Sequence, residues 1–333
     1  MKIIIDENSK QYKANLHSHS NCSDGAFSPS ELKEMYMNEG YSILAFSDHE
    51  HLLNHSYLSD DKFTALTASE IAIKEFSDKS TLDKLDMKVC HLNFIAKKPD
   101  NLLNLCYSDV YDHFSKPEVR KNIIHNGIYD RVYSSEKISE IISLANKNGF
   151  LVQYNHPLWS LENYNDYKGY KGLWAGEIFN TSCQMQGLDS YCPFVYDDLL
   201  RYGNKIFATM NDDNHNKYRY SDSFGGFNMI MSKSLLYSDI ISALEKGEFY
   251  SSTGAYINSL VYKDGNLYVK ADNARSISLQ TDSRRSDKVL GNSAVFPISQ
   301  NDLYVRLKIV DNNNNVAHTN AYFISDLLNQ EEL

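Results

Sequence analysis

The feature that most constrains this chain is a repeated pattern in which a short apolar run ends in histidine or a carboxylate. Between residues 12 and 210 the apolar runs span 12–16, 43–46, 65–68, 88–95, 150–154, 174–179 and 205–210. Runs of this length bounded by polar residues are typical of buried strands. We therefore expect seven strands, with the functional side chains at the ends of these strands.

Helix signals fall between several of these runs. Ser28-Pro29-Ser30-Glu31 is a capping box with proline at the first helical position, and Gly40 marks the end of that helix. Ile138, Ile141, Ile142 and Ala145 recur at helical spacing before Gly149. Strands that alternate with helices favour parallel βαβ units, so we predict an α/β fold.

Metal-binding side chains occur at or near the ends of most of these strands. The candidate ligands are His17, His19, Asp24, His49, Glu70, His91, His156, Asp213 and His215. In a parallel α/β barrel the carboxyl ends of the strands meet at one mouth, where these side chains would converge. Imidazoles and carboxylates without thiolates suit Zn, Mn or Fe, and nine such groups are too many for one ion. We therefore predict two to three divalent metal ions per chain.

The composition excludes several other classes of function. Forty-three acidic residues against 33 basic ones give a formal net charge of -10, which makes nucleic acid an unexpected partner. No apolar stretch is long enough for a signal peptide or a membrane span. The five cysteines lack any C-x-x-C pair and predict reduced thiols in a cytoplasmic protein.

The chain changes character after Gly254. Short β-branched or aromatic runs separated by turn residues, among them Lys263-Asp264-Gly265-Asn266, predict antiparallel strands. We therefore expect a hydrolase domain over residues 1–255 and a small β-sandwich-like domain over 256–333. Within the first, the polar stretch 99–135 fits the repeat poorly and is interpreted as an insertion.

The ordered set of motifs resembles the PHP (polymerase and histidinol phosphatase) family. The motifs are His17-Ser18-His19, Ser23-Asp24-Gly25, Ser47-Asp48-His49, Glu70, His91, Asn155-His156-Pro157 and Asp213-Asn214-His215. The resemblance implies a distorted (β/α)7 TIM-like barrel with a trinuclear centre. It implies one ion on His17, His19, Glu70 and Asp213, a second on Glu70, His91 and His156, and a third on Asp24, His49 and His215.

The resemblance also implies the reaction class. The preferred hypothesis is a phosphoesterase that cleaves a small phosphorylated substrate with a metal-bound hydroxide, with His17, His19, Glu70, Asp213 and His215 as the catalytic set. Segments such as 176–180 look most like the branch that includes carbamate hydrolases. The alternatives are therefore a carbamate, amide or ester hydrolase, and a non-catalytic binding module derived from the same fold. Arg120, Arg131, Arg201 and Arg219 are candidates for binding the phosphate of a phosphorylated substrate. The remaining histidines His51, His55, His113 and His125 are expected to be exposed polar residues. The sequence leaves the oligomeric state open.

Overall fold

The structure is a computed structural model that describes residues 1–76, 85–111, 117–217 and 221–328. Its strands are β1 (Lys2–Ile5), β2 (Gln11–Asn15), β3 (Tyr41–Phe46), β4 (Thr64–Lys74), β5 (Val89–Ala96), β6 (Leu103–Asn104), β7 (Ile124–His125), β8 (Phe150–Tyr154), β9 (Ala175–Asn180), β10 (Phe207–Asn211), β11 (Phe227–Met231), β12 (Phe249–Ser252), β13 (Ser259–Lys263), β14 (Asn266–Lys270), β15 (Ala274–Thr281), β16 (Ser286–Leu290), β17 (Ser293–Pro297), β18 (Tyr304–Asp311), β19 (Val316–Thr319) and β20 (Tyr322–Phe323). Its helices are α1 (Pro29–Asn38), α2 (Pro117–Arg120), α3 (Ser135–Lys147), α4 (Tyr164–Tyr167), α5 (Thr181–Met185), α6 (Pro193–Arg201), α7 (Tyr237–Lys246) and α8 (Ile324–Leu328). No helix among these residues is long and apolar enough to cross a membrane.

Seven strands form a barrel in the order β2-β3-β4-β5-β8-β9-β10. The two end strands meet beyond their regular pairing, because Ser18 and Asn214 form a parallel bridge. The backbone N–H of His19 donates to the carbonyl of Asn214 at 3.1 Å, and that of Asp213 donates to the carbonyl of His17 at 2.9 Å. The predicted α/β class and the seven predicted strands are thus confirmed, and ligand-type residues themselves close the barrel.

One barrel strand runs against the others, which the alternating pattern did not predict. β5 pairs antiparallel with both β4 and β8, whereas the β2–β3, β3–β4, β8–β9 and β9–β10 pairs are parallel. The start of β5 therefore lies at the same end of the barrel as the carboxyl ends of its neighbours. His91, the third residue of β5, reaches the mouth for this reason.

The helices begin and end where their capping residues predict. Ser28 accepts from the backbone N–H of Glu31, whose side chain in turn accepts from the Ser28 backbone N–H, and proline follows at the first helical position. α3 begins at an N-cap Ser134 and buries Ile138, Ile141, Ile142 and Ala145 against the barrel. These amphipathic faces cover the strands and leave the barrel mouth to the loops.

The C-terminal strands are antiparallel, as predicted. β13, β14 and β17 form one sheet together with β1, while β15, β16, β18, β19 and β20 continue the main sheet through the β12–β19 pair. Asp264 and Gly265 have φ angles of 49° and 72°, which suits a two-residue hairpin turn between β13 and β14. Strands β16 and β17 were not predicted. The division into domains at residue 255 stays a prediction.

The segment 99–135 contains little regular structure among its described residues and is tied to the barrel by one buried ion pair. Arg131 donates to both carboxylate oxygens of Glu50 at 2.8 and 2.7 Å. It also donates to the carbonyls of Cys106 and Ala72, each at 2.8 Å. Because Glu50 follows His49 directly, this contact links the segment to the mouth of the barrel.

Candidate metal centre

All nine predicted ligand residues lie together at one end of the barrel. His17 and His19 follow β2, His49 follows β3, and Glu70 lies within β4 where its backbone bridges to His49. His91 comes from the start of β5, His156 follows β8, and the pair Asp213 and His215 follows β10, with Asp24 in the turn after His19. The convergence is therefore observed, while binding of ions by these residues stays a prediction.

The first group comprises His17, His19, Glu70 and Asp213, all buried. Asp213 Oδ1 lies 3.1 Å from His17 Nε2 and 3.0 Å from His19 Nε2. His17 Nε2 lies 3.2 Å from Glu70 Oε1 and 3.3 Å from His19 Nε2. An ion with bonds of about 2.0–2.2 Å keeps its ligand atoms roughly 3 to 3.5 Å apart, so these spacings suit one cation.

The second group shares Glu70 with the first. Glu70 Oε1 lies 3.1 Å from His91 Nδ1 and 3.2 Å from His156 Nε2. Asn155 donates to the same oxygen at 2.8 Å, which holds the carboxylate in place. A carboxylate that faces two groups at once is suited to bridge two ions.

The third group is the most exposed part of the centre. Asp24 Oδ1 lies 3.5 Å from His49 Nε2, and Asp24 Oδ2 lies 3.4 Å from His215 Nε2. His19 Nδ1 also faces Asp24, at 3.9 Å. The side chains of Asp24, His49 and His215 are partly exposed and form the solvent side of the centre. Nδ1 of His215 contacts the carbonyl of Asp213 at 2.9 Å, and this contact directs its Nε2 toward Asp24.

The electrostatics of the first group match a buried cation. Burial alone would raise the pKa values of Glu70 and Asp213, but the surrounding imidazoles lower both pKa values well below their ordinary range. Burial would lower the pKa of His17, yet the neighbouring carboxylates raise it well above its ordinary value. Burial and two neighbouring imidazoles lower the pKa of His19 to about 4. The buried carboxylates therefore favour a positive charge in this group. In the absence of an ion a protonated imidazole carries that charge, and a bound metal ion would carry it once the ligands are deprotonated.

Two buried polar atoms of the centre lack ordinary partners. Asp213 Oδ1 and His19 Nδ1 make no hydrogen bond of good geometry with any residue that the structure describes. Leaving such atoms unpaired inside a protein is costly. A cation in the first group would satisfy Asp213 Oδ1, and a second cation beside Asp24 would satisfy His19 Nδ1. The residues present therefore fit a metal centre with more than one ion.

Glu177 on β9 orients the centre and was not among the predicted site residues. Its carboxylate lies 3.1 Å from His17 Nδ1, and it accepts from the backbone N–H of His156 at 3.0 Å. Asn180 and Asn211 donate to it as well, each at 2.9 Å. A carboxylate bonded to the far nitrogen of a ligand histidine fixes its tautomer and strengthens its metal binding. The one available signal was an ionisable residue inside an otherwise apolar strand.

Glu177→Gln is expected to weaken metal binding about 10- to 100-fold, because the amide removes the charge that orients His17. Competition with a fluorescent chelator measures the affinity directly. Glu140→Gln, a change on the exposed face of α3, is the matched control and should bind metal like the wild type. Unchanged affinity in Glu177→Gln would show that the His17 contact is dispensable.

The walls of the site include one aromatic and one cationic side chain. The Trp159 ring lies 5.2 Å from that of His91 and 5.0 Å from that of His156. Lys217 Nζ lies 3.7 Å from Asp24 Oδ2, and its side chain is 46% exposed. Lys217 was not predicted. Four arginines were predicted candidates for binding a phosphate. Arg131 is paired with Glu50, and Arg201 contacts Asp198 and Asp282 on the outer surface. Arg120 is exposed at the end of α2, and Arg219 lies outside the described residues.

No protein-family model matches the chain, and no curated protein matches it. Among solved structures, it is similar to a two-domain protein from Bacteroides vulgatus that contains a predicted PHP-like metal-dependent phosphoesterase, with a TM-score of 0.44, 13% identity and 96% of each chain covered. It is also similar to an amidohydrolase from Chromobacterium violaceum with bound sulfate and no metal, with a TM-score of 0.39, 14% identity, and 61% of this chain and 87% of that chain covered. At these low identities the likeness does not extend to the roles of individual residues.

Proposed function

We propose that this protein is a metal-dependent hydrolase, and that it acts as a phosphoesterase on a small phosphorylated molecule. The observation that carries the proposal is the overlap of three ligand groups, in which Glu70 and His19 each face two groups. Shared ligands bring neighbouring ions close enough to act on one substrate group, as in two-metal phosphatases. We propose two to three ions of Zn, Mn or Fe.

The ligand residues would divide as their distances do. His17, His19, Glu70 and Asp213 would hold one ion, Glu70, His91 and His156 a second, and Asp24, His49 and His215 a third. When bound, such ions supply a nucleophile from water near neutral pH and neutralise charge on the phosphoryl oxygens. Glu177 and Asn155 orient these ligands, as the contacts above describe.

Lys217 is the residue that we propose to bind the phosphoryl group. It lies beside Asp24 in the third group, whose side chains are partly exposed to solvent. Once a cation occupies the carboxylate of Asp24, the ammonium is available to an anion, and lysine binds phosphate as a point charge. The half-buried Trp159 would form an apolar wall beside His91 and His156 and limit the access of water to the second group.

A second candidate is the hydrolysis of a carbamate, an amide or a carboxylic ester. The observation that favours it is that Arg131 is paired with Glu50, and Arg201 contacts Asp198 and Asp282, so both guanidinium groups have partners other than the nine ligand residues. The apolar ring of Trp159 suits an uncharged acyl group at least as well as a phosphate. A non-catalytic binding module is disfavoured because all nine ligand residues are present.

The deciding experiment compares two chromogenic substrates on metal-defined protein. The protein is stripped with a chelator and reconstituted separately with Mn²⁺, Zn²⁺ or Fe²⁺. It is then assayed with p-nitrophenyl phosphate and with a p-nitrophenyl carbamate, and metal content is measured in parallel. Turnover of the phosphate that returns only with metal supports the phosphoesterase. Turnover of the carbamate alone selects the second candidate, and bound metal without turnover of either substrate argues against both.

Lys217→Met is expected to raise the KM for a phosphomonoester about tenfold, the effect of losing roughly 1.4 kcal/mol of binding energy. Its kcat should change less, because the side chain contacts the substrate rather than the ligand set of the first group. Lys217→Arg should recover much of the affinity, and Lys137→Met on the exposed face of α3 is the control. Equal KM values for Lys217→Met and wild type would remove Lys217 from the site.

A further inference from the structure

A fourth group of potential ligands lies beside the nine-residue centre and shares no residue with it. Its members are Cys22, Asp48 and His55, whose ligand atoms all lie within 4.8 Å of one another. Cys22 is two residues before Asp24, and Asp48 directly precedes His49. The group is therefore attached to the same two backbone segments that carry the third group of the metal centre.

Of the four histidines expected to be exposed polar residues, His51 and His55 are buried, so the prediction is wrong for both; His125 is exposed, and His113 lies outside the described residues. His55 is the one that belongs to the fourth group. Its side chain is buried at 6% exposure, and its ring lies 4.9 Å from that of Phe46. Neither ring nitrogen has a hydrogen-bond partner among the residues that the structure describes. An imidazole buried with both nitrogens unpaired is unfavourable unless a further group satisfies it. Here one of its nitrogens lies close to a thiol and a carboxylate.

Asp48 is held rigidly toward this group. Its Oδ1 accepts from the backbone N–H of Ser20 at 2.8 Å and from the N–H and hydroxyl of Ser23 at 3.2 and 2.6 Å. Its Oδ2 accepts from the hydroxyl of Ser20 at 2.8 Å. Since a carboxylate oxygen has two lone pairs, Oδ2 retains capacity for a cation. These bonds also fix the turn that carries Cys22.

Cys22 differs from the other four cysteines because it is only partly buried, whereas Cys90, Cys106, Cys183 and Cys192 are buried. A thiolate next to an imidazole and a carboxylate makes a sulfur, nitrogen and oxygen donor set. Zn²⁺ accepts these three donor types in tetrahedral sites, and three protein ligands leave one position for water. The nine-residue centre contains no thiolate, so the two sites differ in chemical preference.

We propose that Cys22, Asp48 and His55 form a separate binding site for a thiophilic divalent cation such as Zn²⁺. A cation there would join the turn 20–24 to the segment 47–55. It would thereby stiffen the backbone that positions Asp24 and His49 in the third group. None of these three residues belongs to the nine-residue centre, so binding of a cation here does not require the hydrolase activity.

The first test uses Co²⁺ as a spectroscopic probe on the full-length, metal-stripped protein. Coordination by Cys22 is expected to produce a sulfur-to-cobalt charge-transfer band in the near ultraviolet, which nitrogen and oxygen ligands do not give. The band should be lost in Cys22→Ser and in His55→Gln, and retained in His125→Gln, a change at an exposed histidine of the 99–135 segment. A band of equal intensity in Cys22→Ser, or no band in wild type saturated with Co²⁺, would overturn the site.

The second test measures protection of the thiol. Iodoacetamide should label Cys22 faster than the four buried cysteines of the native protein, and Zn²⁺ should slow that labelling at least tenfold, as followed by peptide mass spectrometry. His55→Gln retains all nine residues of the main centre, so it separates direct coordination from shielding by ions in the third group. Loss of protection in His55→Gln supports the site, and full protection in that variant would contradict it. Neither result depends on turnover, so a failed phosphatase assay leaves this test intact.

Discussion

Glu70→Gln is expected to remove at least one bound metal ion and to lower kcat/KM about a thousandfold. Glu70 Oε1 lies 3.1 to 3.2 Å from His17, His91 and His156. Its Oε2 lies 3.5 Å from His19 and 3.1 Å from His49. The amide of glutamine keeps the shape of the side chain but lacks the negative charge that attracts ions to two ligand groups. A loss of about 4 kcal/mol of transition-state stabilisation corresponds to a rate roughly a thousandfold lower.

Metal content by elemental mass spectrometry and turnover measured on the same sample check this prediction. Glu162→Gln is the matched control, because Glu162 is also buried but receives hydrogen bonds from Tyr133, Tyr154 and Tyr170. Burial raises the pKa of Glu162 to about 7, so a neutral amide there is a mild change. We expect this control to keep its ions. A Glu70→Gln protein with full metal content and normal turnover would contradict the proposed centre.

Arg131→Met is expected to destabilise the protein by about 3–5 kcal/mol, because it leaves Glu50 buried and unpaired. Both side chains are almost fully buried, at 2% and 4% exposure, so water does not replace the lost partner. For a chain of this size the midpoint of thermal unfolding should fall by roughly 4 to 7 °C. The measurement belongs on metal-stripped protein, because bound ions stabilise the folded state by mass action.

The double variant Glu50→Gln with Arg131→Met separates the ion pair from simple loss of packing. With the buried carboxylate neutralised, the double variant should be more stable than Arg131→Met alone. Equal stability of the two proteins would mean that the unpaired charge is not the cause. A fall in metal affinity in Arg131→Met is also expected, since Glu50 adjoins the ligand His49 and has a left-handed φ of 67°.

Strand direction shows why the site was more predictable than the fold around it. The period of apolar residues located β5 correctly, but the same pattern describes a parallel and an antiparallel strand. Direction depends on pairing partners, and here Ala72 pairs with His91 while Leu92 pairs with Tyr154 far along the chain. Reversal of β5 brings His91 to the mouth from the first part of its strand rather than from its end.

The residues that orient or brace the site were hidden from the sequence for a related reason. Glu177 lies in a strand where only its contacts with His17 and His156 reveal a role. Arg131 was a candidate for substrate binding, but it forms a buried ion pair with Glu50, which lies 81 residues earlier in the sequence. Buried His55 resembled an exposed histidine, because short polar stretches give no indication of what will cover them.

By itself the sequence determined seven barrel strands, the capped helix α1, the hairpin at Asp264-Gly265 and the nine residues that gather at the mouth. These follow from local rules, since apolar runs make strands, capping residues start helices, and side chains at strand ends share one edge of a barrel. Only the tertiary structure decided the direction of β5 and the burial of Glu177, Arg131 and His55. Those features depend on contacts between segments that are distant in sequence, and no local pattern encodes such contacts.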